Sequence, residues 1–142
     1  MLLLDTNVVS ELMKAAPDAG VLAWIDGLSR AELFVASVTQ AELLYGVALL
    51  PPGRRRDSIA RAVDAVFADL FSERILPFDS AAASAYADIG ATRRRAGHPI
   101  SAFDAAIAAI ARSRGATLAT RNSADFEGCG VDVIDPWKTD LR

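Results

Sequence analysis

Asp5, Glu42, Asp104 and Asp125 each stand among apolar or small residues, in the segments Leu4-Asp5-Thr6-Asn7, Thr39-Gln40-Ala41-Glu42-Leu43, Ser101-Ala102-Phe103-Asp104-Ala105 and Thr120-Arg121-Asn122-Ser123-Ala124-Asp125-Phe126. A carboxylate in such surroundings is costly unless it is paired or meets a cation. The four are dispersed along the chain, so only a fold can bring them together. If it does, the product is an all-oxygen pocket. Two carboxylates about 4 Å apart repel by roughly 4 kcal/mol at an effective dielectric of 20, and a hard divalent cation relieves that repulsion. Carboxylates and water select Mg2+ or Mn2+, and phosphodiester hydrolysis is a chemistry such an ion serves.

Other chemistries find less support. The one histidine, His98, and the one cysteine, Cys129, are far apart, so a zinc site is not expected. There is no glycine-rich phosphate loop. Nothing besides His98 suggests a Ser-His-Asp triad. Asp5 as the nucleophile of a phosphotransferase would need a nearby second aspartate and a phosphate-binding lysine, and Lys14 is badly placed for that.

A bland explanation competes for three of the acids. Thr39-x-x-Glu42 and Ser101-x-x-Asp104 match the capping-box spacing, and Asn122-x-x-Asp125 is a close relative. Taken singly, such an acid is more often a helix cap than a catalyst. Placement argues for more. Asp104 shares a helical face with Ile107, Ala108 and Ala111, and Glu42 shares one with Tyr45, Gly46 and Leu49. The acids also recur where strands feed helices, and Asp5 joins them without any capping box.

The elements that must position these residues alternate. Apolar runs at Leu2 to Leu4, Leu33 to Ala36, Ile75 to Phe78, Thr117 to Thr120 and Val131 to Ile134 read as strands. Pro77 marks the third as an edge or a strand end. Helices are expected over Val8 to about Lys14, Ala19 to Leu28, Thr39 to about Leu50, Ser58 to Phe71, Ser80 to about Ala96 and Ser101 to Ser113, with Gly97 and Gly115 as stops. Most strands lack polar alternation, which is the pattern of a parallel sheet covered on both faces. Sites in such folds lie outside the carboxyl ends of the strands, where Asp5 and Thr120 to Asn122 fall.

The 142 residues fit one domain, 1–142, that buries roughly 68% of its unfolded surface. With 52% hydrophobic residues, disorder is not expected. Charges interrupt every long apolar stretch, and Leu2 to Leu4 lack the basic flank of a secretory signal, so no membrane association and a cytoplasmic location are expected. The lone Cys129 agrees with that compartment. Net charge is −3, which speaks against generic nucleic-acid binding. Arginine is clustered all the same, at Arg54 to Arg56, at Arg93 to Arg95, and at Arg112, Arg114 and Arg121; the lysines are Lys14 and Lys138. Guanidinium is the better planar phosphate ligand, although solvated helix ends explain any single cluster equally well.

The ordered set Leu4-Asp5-Thr6-Asn7, Glu42, Phe103-Asp104-Ala105-Ala106-Ile107-Ala108-Ala109, Thr120-Arg121-Asn122, Asp125-Phe126 and Val133-Ile134-Asp135-Pro136-Trp137 resembles a PIN domain. More narrowly it resembles the ribonuclease toxins of bacterial toxin–antitoxin pairs, of the VapC type and its FitB-like branch. The resemblance covers nearly the whole chain. It implies an α/β three-layer sandwich, with a central parallel sheet of about five strands flanked by helices, and a Mg2+-dependent endoribonuclease acting on RNA. It implies that Asp5 and Asp104 hold the metal, that Glu42 completes the acidic cluster, and that Thr6 supports Asp5 or a metal water through its hydroxyl. Many relatives carry a fourth aspartate where this chain has Asn122, which leaves that corner open between Asn122 and Asp125 and puts a second metal in doubt. The implied partners are a cognate antitoxin, a second copy of the chain or a dimer of pairs, and operator DNA reached only through the antitoxin. An alternative reading is an antitoxin-binding module with weak or lost nuclease activity, in which Tyr45, Trp24 and the Ala19 to Leu28 helix line a groove for a partner helix. Arg121 first, and Arg93 to Arg95 after it, are the expected contacts to flanking phosphates.

Overall fold

A computed structural model describes residues 1–139. Five short strands form one parallel sheet: β1 (Leu2–Leu4), β2 (Leu33–Ala36), β3 (Ile75–Leu76), β4 (Thr117–Ala119) and β5 (Val133–Ile134), in the order β3-β2-β1-β4-β5. The chain steps outward from β1 through β2 to β3, then crosses to the other side of β1 for β4 and β5. The β1–β4 boundary is therefore the point where the strand order reverses, the place at which open α/β sheets form their crevice. Leu4 pairs with Ala119 there, so Asp5 and Thr120 leave the sheet side by side. β3 lies at the edge and also ends just before Pro77, so both readings of the proline hold.

Six α-helices cover the sheet: α1 (Thr6–Leu12), α2 (Ala19–Asp26), α3 (Ser37–Ala48), α4 (Arg54–Ala65), α5 (Ser80–Arg95) and α6 (Ala102–Arg114). Successive strand residues face opposite sides, and β1 shows it: Leu3 enters a core with Ile107, Ala108, Ile110 and Leu118 beneath α5 and α6, and Leu4 enters another with Val8, Trp24, Val63 and Phe71 beneath α1, α2 and α4. Both faces being dry explains why the strands carry no polar alternation. In α6, seven consecutive residues from Ala105 to Ala111 are buried, five of them alanine, which lets the helix pack closely between sheet and α5. It ends at Gly115, whose φ of +63° is a left-handed cap that favours glycine.

Several elements differ from the sequence expectation. The Ser58 to Phe71 helix begins earlier, at Arg54, and its last turn from Val66 to Leu70 widens into a π-turn that seats Phe67 and Phe71 in the core. The Thr39 helix begins two residues earlier, at Ser37, with no side-chain cap. Thr39 is fully buried inside its first turn, so no capping box joins it to Glu42. The face shared by Glu42, Tyr45 and Leu49 is not a core face: Tyr45 and Leu49 are each 66% exposed. α3 packs instead through Leu43 and Val47, and the neighbouring positions turn outward. Trp24 is buried and packs in the core.

Candidate metal centre

Asp5 follows the last residue of β1 and caps α1, its Oδ1 accepting the Thr6 N–H at 2.8 Å. Only 5% of the residue is exposed. Its Oδ2 accepts the hydroxyl of fully buried Thr120 at 2.7 Å and the Asn7 side-chain amide at 3.3 Å. The Asn7 amide also donates to Thr120 Oγ1, and its Oδ1 accepts the Arg121 N–H. Thr120 Oγ1 accepts in turn from the Asn122 N–H. The ends of β1 and β4 are thus locked together by polar groups that all resolve on one carboxylate. Carboxylate oxygens have lone pairs to spare beyond these bonds.

Glu42 reaches the same place from the second turn of α3. The Thr6 hydroxyl donates to Glu42 Oε1 at 3.1 Å and lies 3.2 Å from Thr39 Oγ1. Thr6 therefore serves Asp5 through its backbone and Glu42 through its hydroxyl. Asp104 arrives in the first turn of α6, where Ser101 Oγ accepts its N–H at 3.2 Å. Of the three capping patterns, this is the one in which the side-chain cap forms. Asp125 lies in a short 3-10 turn, Ser123–Phe126, whose preceding Asn122 makes no side-chain cap. Asp104 and Asp125 line a cavity of about 140 Å3 with Arg93, Pro99, Ile100 and Ser101. Asn122 contributes backbone only, its carbonyl accepting the Asp125 N–H at 3.0 Å, and its side chain stays exposed.

The proton affinities report the same convergence. Burial raises the Asp5 carboxyl above its ordinary value of 3.8; the Thr120 and Thr6 bonds oppose that, and the charges of Asp104 and Asp125 add to it. Burial raises Glu42 above 4.5, with Thr6 opposing and Asp5 and Asp104 adding. Burial also raises Asp104, opposed by the Ser101 hydroxyl and the Arg93 charge and reinforced by Asp125. Acids 21 to 120 residues apart in sequence thus act on one another through space. The hydrogen-bond partners Thr120, Asn7 and Thr39 escaped the sequence reading. A hydroxyl directly after the apolar run of β4 was the available signal for the first.

These shifts fix a pH dependence. Between its unfolded and its raised folded value, each acid holds more proton in the folded chain, so stability falls as pH rises through that window. In chelator, Asp104→Asn is expected to melt higher than the parent near pH 7, with the two curves converging toward pH 4, as followed by circular dichroism. A variant that melts lower throughout would contradict the electrostatic reading of the cluster.

The donor set suits a hard divalent cation, being carboxylate oxygen throughout and mutually repulsive without one. Among the described residues no three acidic, histidine or cysteine side chains already stand at the spacing that encloses a metal ion. An ion would draw on one or two carboxylates and complete its shell with water and substrate oxygens, the usual manner for Mg2+.

A buried carboxylate at the switch point of a five-stranded parallel sheet, within electrostatic reach of Asp104 and Asp125 and linked through Thr6 to Glu42, defines an α/β protein with an acidic site. The chain belongs to the PIN domain family, whose model matches residues 2–128. It is 44% identical over 138 residues to plasmid stability protein StbB of Pseudomonas syringae pv. tomato, and 42% identical over 138 residues to VapC ribonuclease Y4jK of Sinorhizobium fredii, each spanning 97% of this chain and 99% of the relative. It is 39% identical over 137 residues to toxin FitB of Neisseria gonorrhoeae, across 96% of this chain and 99% of that one. A chain in the structure of FitAB bound to IR36 DNA superposes with a TM-score of 0.91 at 38% identity, covering 99% of both chains. The five-stranded α/β fold matches that of the FitAB chain.

Proposed function

We propose that this protein is a Mg2+-dependent endoribonuclease, the toxin of a toxin–antitoxin pair. The observation that carries the proposal is the buried Asp5 carboxylate at the end of β1, tied through Thr6 to Glu42, with Asp104 and Asp125 lining one cavity. The names of VapC ribonuclease Y4jK and toxin FitB supply the substrate class and the cellular role.

Asp5 and Asp104 would hold the ion, with Glu42 beside them. When bound, the ion supplies Lewis acidity toward a phosphate oxygen and makes a nearby water more acidic. Asp5 is held for this task by Thr120, Asn7 and the Thr6 N–H, so its outward lone pairs keep one direction. Glu42, restrained by Thr6, orients the attacking water and accepts its proton, for which a raised carboxyl is the better base. Asp125 fills the fourth corner in preference to Asn122, because its charge is felt at Asp5 and Asp104. Purified protein is expected to cleave single-stranded RNA with Mg2+ or Mn2+ and to stop on addition of EDTA; cleavage that persists in EDTA would refute metal dependence.

Arg121 follows Thr120 and stacks on Trp137, its guanidinium carbon 4.9 Å from the ring centroid. It forms no ion pair among the described residues, whereas Arg112 pairs with Asp88 and Arg114 with Asp79. Its fork is thus free of carboxylates among the described residues and would serve a flanking phosphate. Arg121→Ala is expected to weaken RNA binding and to reduce the salt dependence of binding by about one unit of slope. An unchanged slope in filter binding would exclude a phosphate contact.

The antitoxin has a suitable landing place. A groove of about 260 Å3 runs between α1, α3 and α4, lined by Met13, Leu43, Val47, Leu50, Ile59 and Val63, with Glu42 on its edge. Tyr45 and Leu49 stand exposed on the same helix as Leu43 and Val47. An amphipathic partner helix seated there would cover this apolar surface and close over Glu42. The structures of FitAB from the gonococcal relative support such a partner.

A further inference from the structure

Three arginines end α5, and they behave differently. Arg94 and Arg95 are exposed, while Arg93 folds inward. Its Nε–H donates to the His98 carbonyl at 2.7 Å. Its Nη1 donates to the Asp125 carbonyl at 3.0 Å and also to the Glu127 carbonyl. The Arg93 carbonyl accepts the His98 N–H at 3.0 Å, so loop and helix end are tied in both directions. His98 begins the loop that runs through Pro99 to Ser101, the cap of α6 and the immediate support of Asp104. Asp125 and Glu127 belong to the turn that follows β4. One guanidinium therefore spans three chain segments, two of which deliver acids to the pocket.

Position adds to connectivity. Arg93 forms a wall of the 140 Å3 cavity between Asp104 and Asp125. Arg93 also lines a cleft of about 300 Å3 with Thr92, Ala96, His98, Ala124 and Glu127, so it borders both spaces. Three of its five N–H groups are already committed to carbonyls, which leaves Nη2 alone for a flanking phosphate. Nor does a lysine replace it: an ammonium is one point charge, and these three carbonyls are reached by a planar fork.

We propose that Arg93 is a positioning residue for the acidic pocket, fixing the backbone that carries Asp125 and the loop that delivers Asp104. This rests on the reading of that pocket as a cation site. Residues that orient first ligands typically contribute 10–100-fold to metal affinity or activity.

The test compares the wild-type chain with Arg93→Gln and Arg93→Lys, and with Arg61→Gln on the exposed face of α4 as a control. Mn2+ binding is measured by electron paramagnetic resonance, RNA cleavage as kcat and KM, and amide exchange in the peptide 123–128 without cation. Arg93→Gln is expected to bind Mn2+ about tenfold or more weakly, to lose kcat with KM for RNA little changed, and to exchange faster in 123–128. Arg93→Lys is expected to fall between, and it decides the matter if the glutamine variant does not fold. Wild-type Mn2+ affinity and kcat in a folded Arg93 variant would overturn the inference. So would a loss confined to KM, which would make Arg93 a substrate ligand. A wild-type chain that binds no Mn2+ would instead overturn the cation reading on which the inference depends.

Discussion

Asp104→Asn is expected to lower RNA cleavage at saturating Mg2+ by at least about a hundredfold while leaving the fold intact. The lower bound follows from outer-shell residues, whose loss costs 10–100-fold; a direct ligand carries more. Loss of fold is not the cause to expect. Asparagine keeps the backbone N–H that Ser101 caps and keeps one oxygen in place. It gives up a first-turn acid that complements the α6 dipole, about 0.3–1 kcal/mol. Against that, the net environment of Asp104 favours its neutral form, because burial and Asp125 outweigh Ser101 and Arg93. The variant should therefore be at least as stable as the parent without cation and far less active with it. Equal activity, measured by initial rates on a labelled RNA, would remove Asp104 from the chemistry.

Thr120→Val is expected to cost about 2 kcal/mol of stability at neutral pH, a typical worth for a hydrogen bond to a charged group. The substitution keeps volume and shape and deletes one hydroxyl from a fully buried position. That hydroxyl makes the shortest bond Asp5 receives and is the strongest influence opposing the burial of its charge. Its removal also strands the Asn122 N–H, which now has Thr120 Oγ1 as acceptor. The Asp5 carboxyl would rise further, so activity should fall as well, by about tenfold on the outer-shell scale. Urea unfolding in EDTA measures the stability term. A change under about 0.5 kcal/mol would mean that the Thr120–Asp5 bond contributes little net stabilisation, as exposed polar contacts commonly do.

The parts of this site that could be read from the residues were those with a local signature. Asp5 breaks an apolar run at a strand end, and Asp104 lies in the first turn of a helix whose next seven residues are alanine or isoleucine. Both patterns survive without knowing any neighbour. The bland explanation of Glu42 rested on a Thr39 cap that does not form, because the capping spacing is local and Thr39 is instead drawn inward beside Thr6. The Tyr45 and Leu49 face read as core for a similar reason: apolar spacing shows that a helix has an oily side, and does not show whether anything covers it. The Asp5–Thr120 bond joins residues 115 apart and depends on β4 lying next to β1, a matter of strand order that no periodicity encodes. Arg93 sat in a run of three identical residues, and one helical position separates the side chain that clamps three carbonyls from the two that face solvent.

The acidic cluster as a cation site for RNA cleavage is tested most directly by Mn2+ titration of the EDTA-dialysed chain, with cleavage of a labelled RNA followed in the same samples. Cleavage is expected to rise in step with Mn2+ occupancy in the wild type, and Asp5→Asn and Asp104→Asn should lose both together. RNA cleavage at zero occupancy, or undiminished Mn2+ binding and cleavage in both variants, would contradict the account.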